Sequence, residues 1–273
     1  MEDKTQSNKI IFYFTVPIIM LIAVCSGIGV ASPASIYSKE TSDWLLQCIG
    51  QDYSNLFCTL PVLLVSAFFV RKGSRIAKII WAGAIITNIY SFILYCFCVH
   101  FNFLFYFYCI VLGLSLYALI YFGIKNSNEN FKGWFSESTR TKPLGIFLLV
   151  ITALFYFTWL SQSLPAVLTN TVPKAIEADA LFTNPVYVLD FSFYLPLIVL
   201  SAVMLLKRKS TGYFLAPMML VFAIITNINI ISLTVVTMLH TSSDSIPMIV
   251  IFSVFTVVCV LFLVLFLRNI KPD

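Results

Sequence analysis

Eight stretches of the chain pass with almost no charged side chain, at residues 10–31, 54–70, 79–99, 103–124, 144–165, 188–206, 212–238 and 246–267. A hydrocarbon core about 30 Å thick is crossed by roughly 20 residues rising about 1.5 Å each, so each run is long enough to span it. None shows the alternation of a membrane barrel strand, and lipid offers no partner to an unpaired backbone group. The pattern therefore predicts an all-α fold, a polytopic membrane bundle of about eight transmembrane helices. The first run follows Lys4 and Lys9 and precedes the small residues VASPAS, as a cleaved signal would. A signal core is about 7 to 15 residues, however, and this run is longer, so it reads as the first helix.

Basic residues assign the two faces, because Lys and Arg in short loops stay cytoplasmic. With the N-terminus inside, the segments around Lys9, Arg71, Lys125, Arg140, Lys207 and Arg268 gather all the basic residues except Lys39 and Lys174. The acids Glu40, Asp43, Asp52, Glu177, Asp179, Asp190 and Asp244 fall outside, and Glu2, Asp3, Glu129, Glu137 and Asp273 inside. The expected topology is a multi-pass plasma membrane protein with both termini cytoplasmic and a net acidic outer face.

Composition agrees: 60% of the residues are hydrophobic, only 11% are charged, and the mean hydropathy is +0.95. Soluble domains carry about 25% charged residues. The formal charge of +5 is spread over several short segments. It reads as orientation signals meeting lipid headgroups, so the expected partner is the lipid bilayer and not nucleic acid.

An internal repeat gives the organisation. LPVLLVSAFF from Leu60 is matched by LPLIVLSAVM from Leu195, pairing Pro61 with Pro196, Ser66 with Ser201 and Ala67 with Ala202. After a basic turn, AIITNI at Ala84–Ile89 recurs at Ala223–Ile228, the offset having grown from 135 to 139. The expected architecture is a parallel 4+4 repeat, with units at 1–125 and 144–273 and a cytoplasmic linker at 126–143 that is polar and mobile. Parallel repeats frame the substrate site of several transporter folds, which is an analogy of fold only.

Polar residues at membrane depth are candidates for function. Asn88 and Asn227, each preceded by a threonine, occupy equivalent places in the repeat; an amide there binds a ligand or bonds a neighbouring helix, at about 0.6 to 2 kcal/mol. Pro61 and Pro196 each remove a backbone hydrogen bond and are expected to kink their helices, freeing carbonyls near Phe57 and Ser192. Asp190, six residues before Pro196, has Asn55 as its counterpart, with Asp52 one turn earlier on the same face. A carboxylate at an aqueous mouth binds cations or carries protons; the alternative is an N-terminal helix cap. The candidate ligand set is thus Asp52, Asn55, Asn88, Asp190 and Asn227.

Other chemistry finds little support. His100 and His240 lie at equivalent outer ends, but their offset of 140 turns one side chain about 100° from the other, against a shared haem or metal. The seven cysteines form no CxxC pair, and phosphate-loop, dinucleotide, zincin and nucleophile-elbow motifs are absent. No cofactor is expected, and no clear acid–base pair argues for an enzyme.

The segments QDYSNLFCTLP, RKGSRIAKIIWAG, FNFLFYFY and NPVYVLDFSFYLP, in this order from Gln51 to Pro217, resemble a family of uncharacterised bacterial multi-pass membrane proteins. Where that family is expected to carry Tyr in the third helix, this chain has Thr87 and Asn88. The resemblance implies the topology and no particular activity. Two functions stay open: an accessory or sensory subunit packing against another membrane protein subunit, and a small-solute or ion permease with its site between the repeats.

Overall fold

The computed structural model describes residues 2–241 and 244–272, with side chains from residue 6 onward. Asp273 and the side chains of Glu2, Asp3 and Lys4, assigned above to the inner face, lie outside the described residues. The described residues form eight helices long and apolar enough to cross a membrane. These are α1 (Gln6–Ala31), α2 (Ser42–Arg71), α3 (Arg75–Cys98), α4 (Phe105–Lys125), α5 (Lys142–Thr169), α6 (Pro185–Leu206), α7 (Gly212–His240) and α8 (Ile246–Leu267).

The helices match the apolar runs, with one large difference. α2 begins at Ser42, a full three turns before the apolar run at 54. Its first part, SDWLLQCIGQDYS, mixes apolar residues with Asp43, Gln47, Gln51 and Asp52, which hides it from a hydropathy pattern. Thr41 caps it by accepting from the Trp44 N–H, and the Trp44 indole donates to the Cys98 carbonyl at 2.9 Å.

In α2 and α6 the helix widens into a five-residue π turn, Asn55–Thr59 and Asp190–Tyr194, each followed directly by Leu-Pro. A proline lacks the N–H that an α-helix needs, and the extra residue of a π turn takes up the misfit. The irregularity expected near Phe57 and Ser192 is therefore present, as a widened turn.

α3 is the most enclosed helix and α8 the least. In the first half α1 packs along α2 and α4, and α3 along α2 and α4. In the second half α5 packs along α6, α6 along α7, and α7 along α8. α5 and α8 meet through aromatic rings instead: Phe147 stacks on Phe262 at 4.1 Å and Phe155 lies 6.2 Å from Phe255. α7 joins the halves, packing on α3 and on the first part of α2. There Gly50 is required, because a Cβ would stand 2.5 Å from the Leu233 Cα, and the Ser232 hydroxyl donates to the Gly50 carbonyl at 2.6 Å.

The α4–α5 connection, expected to be mobile, is instead fastened to the bundle. Phe131 and Trp134 are buried against Phe214, with ring centroids 4.7 and 6.2 Å away. Phe135 packs on Phe266 at 4.9 Å, and the Lys271 N–H donates to the Trp134 carbonyl at 2.8 Å. The polar residues of NSNENFKGWFSESTR suggested a loose loop; its three aromatics anchor it. Arg75, which donates to the carbonyls of Lys271 and Pro272, belongs to the same end of the bundle.

Candidate functional site

A cavity of about 430 Å³ occupies the gap that α5 and α8 leave open. α5 contributes Phe155 and Trp159, α6 Asp190 and Tyr194, α7 Phe222 through Thr237, and α8 Met248, Phe252 and Phe255. The first half adds Gln47 and Gln51 from α2 and Tyr90 and Leu94 from α3. The volume falls in the range of small-molecule sites, about 300 to 1,000 Å³.

Asp190 is its only charged lining residue among the described residues. It heads the π turn of α6. The Trp159 indole donates to one carboxylate oxygen at 2.7 Å, and the Tyr90 hydroxyl also hydrogen-bonds the carboxylate. No Lys, Arg or His of the described residues pairs with Asp190. The cap reading is corrected: Asn184 caps α6, accepting from the N–H groups of Val186 and Tyr187, and Asp190 lies well inside the helix.

Asn227 and Thr226 line the same cavity from α7, and two of their atoms are buried without a partner, the Asn227 amide nitrogen and the Thr226 hydroxyl. An unsatisfied buried donor costs about 1 to 3 kcal/mol, so such groups ordinarily face a bound molecule or water. Tyr90, Tyr194 and Phe222 brace each other along the wall, with centroids 4.7 to 5.9 Å apart.

Beside this cavity lies a second space of about 460 Å³, lined by Asp43, Asp179, Ala175, Ala178 and Thr241. Gln47 and Thr237 line both, so the two adjoin. The Asp179 carboxyl is held above the usual carboxylate range, first by partial burial and then by the charge of Asp43.

The candidate residues do not converge on one site. Asp190 and Asn227 share the cavity. Asp52 and Asn55 sit in a separate buried knot, where Asp52 accepts from the Tyr37 hydroxyl at 2.6 Å, the Tyr95 hydroxyl at 2.7 Å and Ser26. Asn55 donates to Ser26 and Tyr95 and accepts from Gln51 at 2.9 Å. Asp52 is inside α2, not capping it, and Gly29 admits it: a Cβ there would meet its carboxylate oxygen at 1.9 Å. Asn88 is elsewhere again, donating to the Ser115 hydroxyl of α4 at 2.8 Å.

The knot and the cavity touch through Gln51, which bonds Asn55 and lines the cavity. Tyr90 and Trp159, which hold Asp190, were not singled out from sequence, since one Tyr and one Trp carry little signal among 26 Phe, 13 Tyr and 4 Trp. The histidines are locally engaged, His100 with Glu40 at 2.9 Å and His240 with the Val236 carbonyl at 2.8 Å. All seven cysteines are free, and no cluster of three or more metal-ligating side chains occurs among the described residues. No family model, no curated protein and no solved structure matches the chain.

Proposed function

We propose that the chain is a small-solute permease of the plasma membrane, built by duplication of a four-helix unit, with its binding site between α5, α6, α7 and α8. The observation that carries this reading is the cavity, which Asp190 lines together with Asn227 and Thr226, whose amide nitrogen and hydroxyl are buried without a partner. Polar groups at membrane depth that neighbouring helices leave unsatisfied are the mark of a ligand pathway.

Duplication is supported by the paired LP segments, the two AIITNI segments and the π turn that precedes each proline pair. Orientation is supported by the basic residues: both termini are cytoplasmic, and the space lined by Asp43 and Asp179 is the outer vestibule leading to the cavity. An accessory subunit needs a face for its partner, and the apolar exposure of α8 is met equally well by lipid, so the cavity favours solute binding.

The test is a panel of cationic, neutral and anionic small organic solutes, screened for thermal stabilisation of the purified chain in nanodiscs and then for counterflow in proteoliposomes. A solute at about 100 times its Kd stabilises the folded state by about 2.7 kcal/mol. At least one class is expected to stabilise the wild type but not Ala223→Trp, which fills the cavity, and to cross the vesicle membrane. If nothing in the panel stabilises the protein and flux equals that of empty vesicles, the reading fails.

A further inference from the structure

Resting on the reading of this cavity as a solute site, we infer that its occupant is a small organic cation with an apolar body and a hydrogen-bond acceptor, seated with its positive centre at Asp190. A carboxylate has about four acceptor positions, and the protein supplies two donors, from Trp159 and Tyr90. The remaining capacity faces the cavity. An ionised carboxylate away from water and without a counter-charge is unfavourable, and no cationic side chain among the described residues lines the space. A positive centre on the solute offsets that charge, whereas an anion meets only repulsion.

The rest of the wall narrows the class. Tyr90, Trp159, Tyr194 and Phe222 present aromatic surface, which favours a weakly hydrated ammonium through its attraction to ring faces. An inorganic cation would want several hard oxygen ligands at one point; the lining supplies a single carboxylate beside neutral side chains such as Gln51 and Thr234, and no group of three or more His, Cys, Asp or Glu side chains that could hold a metal ion occurs among the described residues. The Asn227 amide nitrogen and the Thr226 hydroxyl are buried donors without a partner on residues that line the cavity, and an ester, ether or hydroxyl oxygen on the same molecule would satisfy them. The adjoining vestibule, with Asp43 and Asp179, carries charge of the sign that raises the local concentration of cations.

The experiment measures equilibrium binding to the full chain in nanodiscs for quaternary ammonium compounds, each paired with its neutral carbon isostere. The pairs are acetylcholine against dimethylbutyl acetate, and benzyltrimethylammonium against neopentylbenzene; permanent charge removes any effect of pH on the ligand. At least one cation is expected to bind roughly tenfold or more tightly than its isostere. Asp190→Asn should abolish that preference, and Asn227→Ala should weaken acetylcholine while leaving benzyltrimethylammonium, which has no acceptor, unchanged. Should Asp190→Asn fail to fold, the comparison of cation with isostere on the wild type decides alone.

If the isosteres bind as tightly as the cations, the cavity remains a solute site and the assignment to cations is overturned. If no compound of either kind binds, and the broad panel also fails, the solute site itself is refuted. A co-purifying lipid, identified by native mass spectrometry and displaced by none of the cations, would likewise overturn the assignment.

Discussion

Asp52 and Asp190 are both buried carboxylates without a cationic partner among the described residues, yet they are held in opposite ways. Asp52 is closed in by hydroxyls from three segments, with Gly29 making the room. Gly29→Ala should therefore lower stability by about 1 to 3 kcal/mol, the range for overpacking, read as a fall in melting temperature. An unchanged melt would mean that the knot is loose. Asn88 and Asn227 should separate in the same spirit. Asn88→Ala removes an interhelical bond and should cost about 0.6 to 2 kcal/mol with ligand binding intact. Asn227→Ala leaves no helix–helix partner behind at its amide nitrogen, so it should change binding more than stability. Sequence made these two asparagines equivalents, and their side chains were not told apart because the deciding partner, Ser115 on α4, lies far along the chain.

At the scale of elements, the eight helices were legible because each must bury or expose an apolar surface about as long as a bilayer is thick. The polar opening of α2 was not, since its burial comes from contact with α7, which hydropathy does not record. The π turns were legible only as proline positions. The looser pairing of α5 and α8 opens the cavity, and it rests on a ring clasp. The double-mutant cycle of Phe147→Ala and Phe262→Ala should give a coupling energy of about 0.5 to 1.5 kcal/mol. A coupling near zero would mean that α8 is held by α7 alone. The α4–α5 connection is likewise an element: Phe135→Ala should cost about 3 to 5 kcal/mol, against nearly nothing for a mobile linker.

Across the whole molecule the two halves solve the same packing problem differently. In the first, α1 closes along α4, and the residue heading the π turn is the neutral Asn55, satisfied by Ser26, Tyr95 and Gln51. In the second, α5 and α8 meet only through aromatic rings, and the residue heading the π turn is Asp190, held by Trp159 and Tyr90 and lining the cavity. The spacing of the two LP segments predicts the pairing of Asn55 with Asp190 but not the difference in closure, which depends on bulk and spacing along α1, α4, α5 and α8.

The proposal that the cavity is water-accessible and opens toward the outer face is tested most directly by thiol accessibility. Ala223 lines the cavity, while Ala84, its counterpart in the first AIITNI segment, is fully buried. With the seven native cysteines setting the background, a membrane-impermeant cationic thiol reagent added outside sealed proteoliposomes of known orientation should label Ala223→Cys above wild type and leave Ala84→Cys at background. Labelling of neither variant, or of both equally, while both react fully once denatured, would contradict a water-accessible cavity between α5, α6, α7 and α8.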